Sequence, residues 1–81
     1  MRRVKIIVSG GSLKQNKKAC ASCTRYFSAG TIANPTDPVR GQNGEYYFYM
    51  DVMDLNDDQI SQTILDHCTA GHLVTINVSK S

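Results

Sequence analysis

The chain lacks any long apolar run. No stretch approaches the ~18–20 residues that a membrane-spanning helix requires, so no membrane association is expected. The apolar stretch behind Met1-Arg2-Arg3 ends at Val8, short of the ~7–15-residue core of an export signal. Cysteine is scarce: three residues form no even framework, which fits a reducing, cytoplasmic setting better than a disulfide-stapled secreted scaffold. Equally missing are a His-Glu-x-x-His motif, paired catalytic carboxylates and a Ser/His/Asp arrangement. Gly10-Gly11-Ser12 makes a turn able to nest an anion, but it has neither the dinucleotide fingerprint nor Walker spacing. The expectation is therefore not an enzyme.

What is present describes a small α+β domain. Eighty-one residues read as a single domain, 1–81, below the roughly 100–150 residues of ordinary domains. Folding at this size hides only about 60–65% of the chain surface, so the core is small and its stability modest. Wholesale disorder is excluded by 41% hydrophobic and 20% charged residues. The net charge of +2 conceals a division: residues 1–40 carry eight Lys and Arg against Asp37 alone, while residues 41–81 carry Lys80 against six carboxylates. Such a split describes a bipolar surface or two halves that neutralise one another on folding.

Residues 3–9 alternate, with Val4, Ile6 and Val8 on one side of a strand that Gly10-Gly11 ends. Ser12-Leu13-Lys14-Gln15 has capping-box spacing and opens a helix over Leu13–Phe27, stopped before Gly30. Asn34-Pro35, Asp37-Pro38, Gly41 and Gly44 make residues 31–44 a long loop. Glu45–Met53 reads as a central strand, apolar or amphipathic on both faces and so covered twice or facing a partner. Asn56 caps a second helix, Gln59 closes its box, and Asp57 and Asp58 sit against the positive end of its dipole. Ile60, Ile64 and Cys68 then mark its buried face, and Gly71 its stop. His72–Ser79 alternates as a last strand. The order is β-α-β-α-β, predicting a three-stranded sheet with two helices on one face.

Three groups of residues carry candidate chemistry. Cys20-Ala21-Ser22-Cys23 has the spacing of a thioredoxin-like dithiol, and Lys17 and Lys18 would favour a thiolate. With the strand Val4–Val8 before it, the first third of this short chain loosely resembles the glutaredoxin family, which implies dithiol redox activity at Cys20 and Cys23. It departs from that family in the eleven or so residues between strand and dithiol, and in having no proline placed to stand beside the pair. Alternatively, Cys20, Cys23 and Cys68 with His72 form a Cys3His set for a stabilising zinc ion, with His67 as a spare. The ordinary alternative is burial. On the helical wheel Leu13, Asn16, Cys20, Cys23, Thr24 and Phe27 share one sector about 100° wide, and free cysteine commonly packs as a small apolar side chain.

The opposite side of the same helix stacks Lys14, Lys18 and Arg25 within about 40°, with Lys17 some 60° away. Like charges four residues apart repel by a few tenths of a kcal/mol, so the stripe points to an anionic partner. Arg2, Arg3 and Lys5 add to it, and Tyr26, Tyr46, Tyr47 and Tyr49 are able to stack on bases. The reading favoured by the sequence is a binding module acting through charge complementarity on nucleic acid or on a protein of a nucleic-acid-processing complex. That character suits a small regulator or inhibitor such as phages and mobile elements encode. The opposed poles and the two-faced strand also suit a homodimer.

Overall fold

A computed structural model describes residues 2–29, 33–69 and 71–80 of the chain. The expected stop at Gly30 and the start of the loop at Thr31 and Ile32 lie outside the described residues. The α+β class holds, but the sheet has four strands, where the sequence led to an expectation of three. In chain order they and the helices are β1 (Arg2–Ser9), α1 (Leu13–Ala29), β2 (Val39–Arg40), β3 (Tyr46–Val52), α2 (Asp57–His67) and β4 (Thr75–Lys80). The extra strand, β2, lies inside the stretch read as a loop. Two residues directly after Pro38 are too few to leave an alternating pattern.

The sheet order is β2-β3-β1-β4 and every pairing is antiparallel. With β1 and β3 central and a helix after each, this is the split β-α-β arrangement. Register fixes the two faces. Val4, Ile6 and Val8 stand opposite Met50, Phe48 and Tyr46, and Ile6 and Val8 also oppose Val78 and Ile76. These side chains meet Ala19, Cys20 and Cys23 of α1 and Ile60, Ile64 and Cys68 of the second helical segment in one core. Both helices thus cover one face of the sheet.

The strand β3 decides between the two alternatives, covered twice or facing a partner, only as far as this chain goes: among the described residues nothing covers its second face. Its burial alternates strictly, so it is covered on one side only, and its off-core residues Tyr47, Tyr49 and Asp51 are half-buried. On α1 the buried residues are Asn16, Ala19, Cys20 and Cys23, while Leu13 reaches the surface. The Ser12 cap forms as the sequence implies: Gln15 N–H donates to Ser12 Oγ at 3.2 Å, and Ser12 N–H to Gln15 Oε1 at 3.0 Å. Asn56 and Gln59 make the same reciprocal pair ahead of α2, at 2.8 and 2.9 Å. Among the described residues no helix is long and apolar enough to cross a membrane.

Candidate functional site

One broad face of the sheet is left without a helix, and the period of two in each strand decides what stands on it. Arg3, Lys5 and Ile7 of β1 face the same way as Asp51, Tyr49 and Tyr47 of β3, their register partners, and as Ser79 and Asn77 of β4 beyond Lys5 and Ile7. At one end Arg3 Nη1 lies 3.0 Å from Asp51 Oδ1. At the centre the Lys5 ammonium stands 4.2 Å from the Tyr47 ring centroid. The Tyr47 and Tyr49 rings meet edge to face, 5.9 Å apart at 83°. The two rings are thus fixed against one another on the half-buried open face, with the Lys5 ammonium over Tyr47.

Beside Tyr47 the β2–β3 hairpin rises to form a polar depression of about 440 Å³, lined by Lys5, Ile7, Arg40, Gln42, Asn43, Glu45 and Tyr47. The hairpin is held by backbone geometry. Gly41 N–H donates to the Glu45 carbonyl at 2.8 Å, and Asn43 N–H donates to the Glu45 carboxylate at 2.9 Å. The carboxylate lies over Gly41, where any Cβ would collide with it. From behind, Asn16 ties this hairpin to the rest of the domain. Its buried amide donates to the Gly44 carbonyl at 3.0 Å and to the Gly11 carbonyl at 3.2 Å, and accepts from Gly11 N–H at 3.0 Å. Chemically, the face offers two aromatic side chains, a cation over one of them, and a depression with both donors and a carboxylate acceptor.

No family model, curated protein or solved structure matches this chain.

The seven cations expected to act together occupy three places. Arg2 turns toward the start of α2, donating to the Asp57 carboxylate at 2.8 Å and the Leu55 carbonyl at 3.0 Å. Arg3 is paired with Asp51, and Lys5 lies over Tyr47. Lys14, Lys17, Lys18 and Arg25 are exposed on α1, and among the described residues no carboxylate comes within ion-pair distance of them. Because α1 covers the other face of the sheet, its outer side points away from Tyr47 and Tyr49. The two charged halves of the sequence partly neutralise one another through Arg2 and Arg3, and the α1 stripe stays outside that exchange.

The four tyrosines divide as well. Tyr46 is a core residue on the buried side of β3. Tyr26 stacks on His67 across the two helices, with centroids 6.1 Å apart and planes 4° from parallel. Only Tyr47 and Tyr49 stand on the open face. Arg40, Asn43 and Glu45 of the depression were not expected from the sequence. The signal available was the hairpin spacing of Gly41 and Gly44 just ahead of an aromatic strand.

All three thiols are fully buried and free. Cys23 Sγ donates to the Cys68 carbonyl at 3.4 Å. Burial pushes the Cys20 thiol from 9.0 up to about 12. Cys23 is held well above its usual range, first by the hydrogen bond it shares with Cys68 and then by burial. Cys68 is drawn down by the side-chain hydrogen bond between its sulfur and the Cys23 thiol, against the opposing effect of burial. Cys20 also lies two turns inside α1, away from the helix N-terminus that would favour a thiolate. Among the described residues no three His, Cys, Asp or Glu side chains converge on a point able to hold a metal ion, so Cys20, Cys23, Cys68 and His72 do not assemble as a Cys3His set. All three thiols are part of the core, where Cys23 of α1 meets Cys68 at the C-terminal end of α2.

Proposed function

We propose that the protein is a non-enzymatic module that binds single-stranded nucleic acid on the open face of its sheet. The observation that carries this reading is the pair of tyrosines on the central strand β3, with Lys5 over Tyr47 and the polar hairpin depression alongside. Four-stranded sheets that stack unpaired bases on aromatic side chains of their central strands are a recurring mode for single strands. Stacking tolerates every base, since each has a π-face. In this arrangement one base lies on Tyr47 and a neighbour on Tyr49. Lys5 and Arg40 meet the flanking phosphates, while Glu45 and Asn43 face the edge of the base in the depression.

The test is fluorescence anisotropy with short single-stranded DNA and RNA and with the matching duplexes. Single strands bind and duplexes bind less well. Tyr47→Ala lowers affinity about 5- to 150-fold, the equivalent of ~1–3 kcal/mol for one lost stack. Equal affinity for duplex and single strand, or no effect of Tyr47→Ala in a folded protein, refutes the proposal.

A second reading rests on the α1 stripe. Lys14, Lys17, Lys18 and Arg25 form a cationic surface with no internal partner among the described residues, suited to an acidic surface of a protein in a nucleic-acid-processing complex. The protein would then act as a small regulator or inhibitor, of the kind phages and mobile elements encode. Alanine at Lys14, Lys18 and Arg25 removes binding in this case and leaves it nearly intact in the first.

A further inference from the structure

The two edges of the sheet are treated differently. Outside β3 lie β2 and the segment before it. Thr36 N–H donates to the Tyr49 carbonyl at 2.9 Å, Asp51 N–H to the Ala33 carbonyl at 2.7 Å, and Tyr49 N–H to Thr36 Oγ1 at 2.9 Å. Pro35, Pro38, Asp37 and Arg40 finish that edge with the residues that discourage strand pairing. At the other edge stands β4, six residues long, and among the described residues no hydrogen bond reaches its outer side. From Thr75 to Ser79 it has no charge, no proline and no glycine.

Apolar side chains flank this bare edge. On α2, His67 stacks on Tyr26 of α1 and so marks the flank turned toward α1. Leu65, two residues earlier, projects about 160° away, from the flank beyond which β4 runs. It is 45% exposed, and Leu73, on the segment leading into β4, is 90% exposed.

We propose that the outer edge of β4 pairs antiparallel with the same edge of a second copy about a two-fold axis, joining two domains into one eight-stranded sheet. The occupant is a second copy because the edge is self-complementary. An uncharged ladder meets no like charge when paired with itself, and the antiparallel arrangement places the two Lys80 side chains at opposite ends. The two-fold axis stands perpendicular to the sheet, so the helices of both copies stay on one side. Leu65 of each copy then packs over the junction, and Ile76 and Val78 lose their remaining exposure. The proposal holds whether or not the open face binds nucleic acid.

Sedimentation of the full chain tests it, with hydrogen exchange read in parallel. At about 100 µM the protein sediments at twice its 8.9 kDa mass, and the β4 amides exchange more slowly as concentration rises. Leu65→Lys removes the packed pair, and Asn77→Lys places a cation in the ladder at an exposed position. Each raises the dissociation constant at least tenfold with an unchanged far-UV circular dichroism spectrum. A monomer at that concentration overturns the proposal, as does β4 exchange independent of concentration. A dimer that survives both substitutions also overturns it, because its interface then lies elsewhere.

Discussion

Asn16→Ala removes three hydrogen bonds at once: Gly11 N–H to Oδ1, and Nδ2 to the carbonyls of Gly11 and Gly44. Each is worth about 0.5–1.5 kcal/mol net, and the groups left behind are partly screened from water, so the loss comes to about 2–4 kcal/mol. At about 0.05–0.15 kcal/mol per residue the whole domain has roughly 4–12 kcal/mol of stability. One side-chain truncation thus takes a large share of it. For a domain of this size each kcal/mol shifts the melting temperature by about 4–8 °C, which predicts a fall of about 10–30 °C by thermal circular dichroism. Ser12→Ala, which removes an exposed cap four residues away, serves as the comparison and costs about 1 kcal/mol. Asn16→Asp keeps the acceptor for Gly11 but turns a buried carboxylate toward the Gly11 and Gly44 carbonyls, and costs at least as much as Asn16→Ala. If Asn16→Ala costs no more than Ser12→Ala, the buried amide does not hold the hairpin to α1, and the depression beside Tyr47 lacks the anchor assigned to it.

Two further outcomes follow from the core and the second helix. Cys20 has its folded pKa raised from 9.0 to about 12, so the unfolded chain loses this proton first as pH rises. The stability contributed by the neutral thiol is complete below about pH 9 and is lost progressively toward pH 12. The urea midpoint of the wild type therefore drops more steeply between pH 8 and 10.5 than that of Cys20→Ala, and equal slopes would contradict the assignment. Asn56→Ala opens the capping box of α2 and lowers stability by about 1 kcal/mol in urea denaturation. A null result there would show that Arg2, through Asp57 and Leu55, already secures that end of the helix.

Local chemistry was legible in the sequence and pairing was not. Ser12–Gln15 and Asn56–Gln59 act within four residues of chain, so their spacing alone placed both helix starts. The buried face of α1 followed from its period, although Ala19 went unseen because a methyl group gives little pattern, and Leu13 proved half-exposed. By contrast β2 exists only through its pairing with Tyr46 and Tyr47, and no two-residue segment announces a partner. The same limit hid the site. Glu45–Met53 is apolar at nearly every position, so neither parity stood out. Only the burial of Phe48 and Met50 decides that Tyr47 and Tyr49 face outward while Tyr46 does not. The cations misled for a related reason. Arg2, Arg3 and Lys5 are close in sequence to the α1 stripe, but the strand alternates its side chains, and the sheet lies between Lys5 and the outer side of α1.

The most direct test of the central claim is an amide chemical-shift map of the labelled protein titrated with a short single-stranded oligonucleotide. Binding on the open sheet face shifts Lys5, Ile7, Tyr47, Tyr49 and the hairpin Gly41–Glu45, and leaves Lys14, Lys17, Lys18 and Arg25 in place. Shifts confined to α1, with β3 and the hairpin unmoved, would contradict it.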